Sequence, residues 1–231
     1  MASRHALICL PAMPASAYKI DTRLRSALWK VRRYYDSYEI YSGRYTEHFP
    51  LRSPQSTADV RLIRARGTEG PRVAGGPIGR LDLDAMRDQA AAKAAALYDA
   101  WTDATAEMPP ARPWAKYVDE QPTDSFRALM AFREQPQLRV LEDIKGSRNR
   151  QRDEEAALVV MDRAGFIARA RGRAVPGRSL LELDGTWHTD PAWLNDDDAV
   201  ETGSSAYHQH VNAYLDALPD DHLVIGVDCR R

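Results

Sequence analysis

Ala6 to Leu10 is an apolar run ended by Pro11 and Pro14, the pattern of a short buried strand. Beyond it Ile20, Leu24, Leu28, Val31 and Tyr35 recur every three or four residues, which predicts an amphipathic helix with Asp21 and Thr22 near its start. Tyr38 to Tyr41 and Arg44 to Phe49 flank Ser42-Gly43 and predict a hairpin. Asp59 to Arg66 reads as a further strand, closed by a turn at Gly67 to Gly70.

Gly75-Gly76-Pro77-Ile78-Gly79 reads as a linker, and the period changes from 2 to 3.6 after it. Leu83, Met86, Ala90, Leu97 and Trp101 line a long Ala-rich helix, broken by Pro109 to Pro113. Ser125 to Gln135 and Gln137 to Lys145 read as two short helices split by Pro136. Lys145 to Arg152 reads as a basic loop, and Asp162 to Ala174 as another helix.

The last third returns to mixed structure. Leu180 to Leu183 and Thr186 to Thr189 bracket Asp184-Gly185, which predicts a hairpin with a two-residue turn. Asp190 to Gly203 reads as a loop. Tyr207, Val211, Tyr214 or Leu215, and Leu218 form a helical stripe, and His222 to Val227 is an apolar strand. The two ends therefore read β-α-β-β-β and β-β-α-β. The expected fold is α+β: one domain over residues 1–231, with a single mixed sheet built from both ends and a helical insertion at about 80–174.

Charge changes this picture locally. With 32 Lys and Arg against 33 Asp and Glu, the net charge of −1 gives no global attraction to nucleic acid or membrane. The first 82 residues nevertheless carry +7, and Glu182 to Arg231 carry −9. Glu182 to Cys229 holds eleven carboxylates and four of the six His with no Lys or Arg. The opposite charges can neutralise one another within one fold, or the acidic end can face a cation or a basic partner.

Candidate chemistry concentrates in that acidic stretch. His188 and Asp190 stand two apart on a strand, so their side chains share a face and could ligate one divalent metal. His208 and His210 fall on a helix, where positions i and i+2 diverge, so at most one of them would join such a site. Asp196, Asp197 and Asp198 lack the alternating pattern of a calcium loop, and read as an acidic surface for a basic partner. General acid–base work could pair His188 or His222 with Asp190 or Asp228. No organic cofactor is expected, and a divalent metal is the candidate if one is used.

A second candidate surface is basic. Arg25, Arg32 and Arg33, with Arg23 and Lys30, lie on or near the first helix among Trp29, Tyr34, Tyr35 and Tyr38. That mixture suits nucleic acid, although basic residues are also ordinary on the wet face of a helix. There is no Walker loop, G-x-S-x-G elbow or H-E-x-x-H pair. Cys9 and Cys229 form no CxxC pair, which excludes a thiolate zinc cluster. Cys229 lies beside Arg230, which could lower its thiol pKa, but a buried strand end is the simpler expectation. Ala15-Ser16-Ala17 has the form of a cleavage site, yet the apolar run before it is too short and proline-broken for a signal peptide, so a cytoplasmic protein is expected.

The opening strand, the Leu181-Glu182-Leu183-Asp184-Gly185-Thr186-Trp187-His188 hairpin and the ending Val227-Asp228-Cys229 resemble uncharacterised proteins of actinobacteria and their phages. That resemblance implies a GC-rich, mobile-element origin, in keeping with 27 Arg against 5 Lys, and implies no activity. The first functional expectation is a non-catalytic interaction protein, engaging a basic partner through Asp196 to Asp198. The second is a metal-dependent hydrolase or nuclease centred on His188 and Asp190. The third is nucleic-acid binding through Arg25, Arg32 and Arg33.

Overall fold

A computed structural model describes residues 3–13, 17–40, 48–53, 61–64, 72–145, 151–175, 177–191 and 200–230. The chain divides into two compact units: Met1–Arg87 with Gly172–Arg231, and Asp88–Arg171. The fold is α+β, with a mixed sheet built from both ends of the chain and helices between them.

In the first unit, β1 (Ser3–Leu10) and β8 (Leu223–Arg230) pair antiparallel along their full length, from Ser3↔Arg230 to Leu10↔Leu223. Seven of the eight residues of β8 are buried, the continuous apolar pattern of a central strand. β6 (Ser179–Leu181) adds parallel to β1, and β7 (Trp187–Thr189) adds antiparallel to β6. On the far side of β8 lie β2 (Ser37–Ile40) and β5 (Gly75–Pro77).

Strand alternation sorts the core onto two faces. Ala6, Ile8, Leu10, Ile225 and Val227 pack under α1 (Ala17–Lys30), through Ile20, Leu24 and Leu28. Leu7, Cys9, Leu180 and Val224 pack under α8 (Val200–Ala217), through Tyr207, Val211 and Leu215. Both helices carry the stripe expected from sequence, and α8 begins earlier than the expected loop to Gly203.

Several expected elements differ. Ser42-Gly43 lies outside the described residues, but β2 pairs with β8, while β3 (Phe49–Pro50) pairs with β4 (Arg72–Val73). Of Asp59 to Arg66, residues 61–64 are described and contribute one bridge, Ile63↔Gly75. Gly75 to Pro77 are not a linker but the buried strand β5. A Cβ on Gly75 would stand 2.4 Å from the Val224 carbonyl oxygen, so glycine is what lets this backbone close on β8. Cys9 and Cys229 do lie on neighbouring strands, at opposite ends and in opposite core layers; both are buried and neither forms a disulfide.

The second unit is helical. It takes in most of α2 (Leu83–Thr105), which starts in the first unit, then α3 (Trp114–Glu120), α4 (Ser125–Arg133), α5 (Pro136–Lys145), α6 (Arg152–Val160) and α7 (Arg163–Gly172). Pro136 opens α5 rather than merely splitting two helices, because a first-turn residue has no intrahelical partner for its N–H. Phe132 is fully buried, with edge contacts to Trp114 and Tyr117 at ring separations of 5.5 and 5.7 Å. Glu155, at 2 % exposure, is held by Arg133 Nε at 2.8 Å, the pairing a buried carboxylate requires. No helix among the described residues is long and apolar enough to cross a membrane.

Candidate metal centre

The β6–β7 hairpin sets the site. Its register is Leu180↔His188 and Leu181↔Trp187, and the Glu182 N–H donates to the Thr186 carbonyl. The connection is therefore the three residues Leu183-Asp184-Gly185, with Gly185 at φ +92°, instead of the expected two-residue turn. Asp184 Oδ1 accepts the Thr186 N–H at 2.8 Å, and these bonds from Thr186, with a smaller effect of His188, hold the Asp184 carboxyl below its ordinary pKa. The one-residue change of register decides which side chains meet. A two-residue turn would set Glu182 opposite Trp187, whereas the observed register puts Glu182 and His188 on the same face, towards α8.

Three side chains converge there. His210 Nε2, from α8, lies 2.6 Å from Glu182 Oε1, and His188 Nε2 lies 3.1 Å from the same oxygen. The two imidazole rings are 4.5 Å apart, centroid to centroid, at an angle of 45°. Glu182, His188 and His210 each offer one ligand atom, and these atoms all lie within 4.8 Å of one another. His188 Nε2 is buried and makes no hydrogen bond, its approach to Glu182 lacking the required angles. A buried nitrogen without a hydrogen bond costs free energy, and a metal ion is one partner that would satisfy its lone pair.

The surroundings hold the three groups in place. Glu182 is 13 % exposed, His188 33 % and His210 46 %, so one side opens to solvent. Tyr214, one turn beyond His210 on α8, stacks with it at 6.4 Å, and the Tyr214 hydroxyl accepts the Leu183 N–H at 2.9 Å. Burial, above other causes, raises the Tyr214 phenol pKa, so the hydroxyl keeps its proton at neutral pH. Cys9 lies on the same sheet face, and burial, reinforced by the Glu182 charge, keeps its thiol protonated.

Asp190 does not share an ion site with His188. The two side chains leave the same face of β7, but Asp190 is almost wholly buried beside His208, with Nε2 to Oδ2 at 3.5 Å, and Arg178, at 3.8 Å. His208 and His210 thus diverge, as helical spacing requires, each to its own carboxylate. His222 pairs with its neighbour Asp221 at 3.1 Å, and Asp228 is buried in β8 opposite His5, so neither joins the site. Asp196, Asp197 and Asp198 lie outside the described residues. Arg25, Arg32 and Arg33 lie on α1 and the 3₁₀ turn after it, across the sheet from this site.

The residue of this cluster that sequence reasoning missed is Glu182. Its signal was present as a carboxylate two positions beyond the buried Leu180, but assigning its face needed the hairpin register, which turn composition alone set one residue out. Compared with known proteins, the chain matches no family model, no curated protein and no solved structure.

Proposed function

We propose that Glu182, His188 and His210 bind a divalent first-row transition metal, and that this centre supports metal-assisted hydrolysis. The observation that carries the reading is the buried, hydrogen-bond-free His188 Nε2, 3.1 Å from a carboxylate oxygen that a second imidazole also contacts. Two neutral imidazoles and one carboxylate suit zinc, iron, cobalt or manganese, whereas magnesium and calcium favour oxygen-rich sets. Metal–ligand bonds of about 2.0–2.2 Å at tetrahedral angles set ligand atoms about 3.3–3.6 Å apart. An ion would therefore replace the His210–Glu182 hydrogen bond and widen the 2.6 and 3.1 Å separations within a cluster whose ligand atoms lie within 4.8 Å.

Three protein ligands leave coordination positions for water and substrate, as in catalytic rather than closed structural sites. A bound divalent ion there would lower the pKa of a ligated water and polarise a substrate oxygen. Glu182 would bring the compensating negative charge. Tyr214, protonated and beside His210, would supply a hydrogen-bond donor at the rim. The interaction-protein reading rests on Asp196 to Asp198, which lie outside the described residues.

The test combines metal loading with turnover. Metal-free protein is loaded separately with zinc, manganese, cobalt or magnesium and offered a carboxylic ester, a peptide amide and a phosphodiester. Hydrolysis of one class, dependent on a transition metal and lost in His188→Ala, is expected. Tight metal binding without turnover would remove the hydrolase and leave a metal-binding protein. No binding would remove both.

A further inference from the structure

The outer surface of α1 lies on the opposite side of the sheet from the metal centre and has its own chemistry. Ile20, Leu24 and Leu28 take the buried face, so every other large group on the helix must lie at its rim or in solvent. At about 100° per residue, Lys19, Arg23 and Lys30 fall within a stripe about 40° wide on the exposed side, spread over about 16 Å of helix. All three are exposed, as are Arg25, Arg32 and Arg33. From Ala17 to Tyr34 there are six basic residues and one acidic residue, Asp21, which pairs with Arg25 at 2.9 Å.

Beside this stripe stands Trp29, 65 % exposed, with the Arg32 guanidinium 4.0 Å from its ring centroid. Trp29 is the only large hydrophobic side chain exposed on α1 among the described residues. The other nearby aromatics serve the core. Tyr35 is 8 % exposed, meets Tyr38 edge-on at 6.2 Å, and has its phenol pKa pushed up to about 12, chiefly by burial.

We propose that this surface binds single-stranded nucleic acid, with Lys19, Arg23 and Lys30 along the phosphate backbone and the Arg32–Trp29 stack against a base. The basic stripe selects a polyanion. An indole carrying a guanidinium is a planar platform with cationic character, which suits unpaired bases and is closed to bases stacked within a duplex. A membrane fits poorly, because stable interfacial binding needs an apolar face and α1 has spent its apolar face on the core. The proposal is independent of the metal centre, so either can fail without the other.

Fluorescence anisotropy of a labelled oligothymidylate of about 20 nucleotides tests it, read at about 50 mM and about 200 mM salt with the full chain. Binding should weaken at least about 10-fold over that range, given three or more phosphate contacts at about −0.7 in log–log slope per contact. Trp29→Ala should weaken binding about 5-fold or more, the loss of one stacking contact. Arg23→Gln with Lys30→Gln should weaken it further and flatten the salt slope. All three side chains are exposed, and thermal melting of each variant controls for folding. Absent binding at low salt, binding equal in all variants, or preference for a duplex or anionic vesicles over the single strand would overturn the proposal.

Discussion

Glu182 Oε1 lies 2.6 Å from His210 Nε2, joining the end of β6 to α8 across 28 positions of chain. The same oxygen is 3.1 Å from His188 Nε2, so one carboxylate oxygen is shared by two imidazoles from different elements. Neither histidine reaches Asp190, which has its own partners in His208 and Arg178.

This separation predicts an asymmetry between two histidines on one helix. His210→Ala should abolish any rise in melting temperature on adding zinc or cobalt, while His208→Ala should keep it, because only His210 faces Glu182. Differential scanning fluorimetry with and without metal reads both. Equal loss in the two variants would mean that the Glu182 site alone does not account for the binding.

Asp190 should matter for folding more than for metal. Its carboxylate is 2 % exposed beside the largely buried His208, so Asp190→Ala takes away that imidazole's carboxylate partner, while the half-exposed Arg178 can turn to solvent. A loss of about 1–3 kcal/mol in urea unfolding is expected, with the metal-induced shift retained. A cost below about 0.5 kcal/mol, the range of ordinary surface substitutions, would contradict that role.

Gly75 should not tolerate a side chain. Gly75→Ala would drive its Cβ against the Val224 carbonyl oxygen and the Ile225 Cα, both backbone atoms that cannot rotate away. Overpacking of this kind costs about 1–3 kcal/mol. Gly185→Ala offers a useful contrast, since its added Cβ meets nothing within 4 Å and any cost there comes from the positive φ.

Alkaline pH should destabilise the first unit. Burial raises the pKa of Cys9 and Tyr207, and pushes Tyr35 up to about 12. Each fold-favoured neutral group contributes fully below its unfolded pKa, about 8.5 for a thiol and about 10 for a phenol. Above those values the unfolded chain ionises first, and stability falls as pH climbs towards the raised folded values. Urea midpoints should hold near pH 7 to 8 and drop by pH 10 to 11, more steeply in wild type than in Cys9→Ala. A flat profile would show that these groups are not held neutral by the fold.

The strands and long helices were legible because burial leaves a periodic trace. Ala6 to Leu10, the Leu24–Leu28 stripe and the Val211–Leu215 stripe all stand where the pattern placed them. Gly75 to Pro77 escaped because glycine carries no hydrophobic signal even where it is most buried. Trp114 to Glu120 and Arg152 to Val160 escaped because short helices in a helical unit show barely two turns of period. The candidate site was half legible. His188 was visible from the hairpin, but its partners depend on a register that the Asp184-Gly185 pair leaves open between two and three connecting residues.

Metal content per chain separates a metal centre from a plain cluster of hydrogen-bonding groups. Native mass spectrometry with elemental analysis, after dialysis against zinc or cobalt, should give one ion per chain for wild type. Glu182→Gln and His210→Ala should give none while keeping the wild-type circular dichroism spectrum. Metal-free wild-type protein, or the same stoichiometry in all three, would contradict the assignment of Glu182, His188 and His210 as ligands.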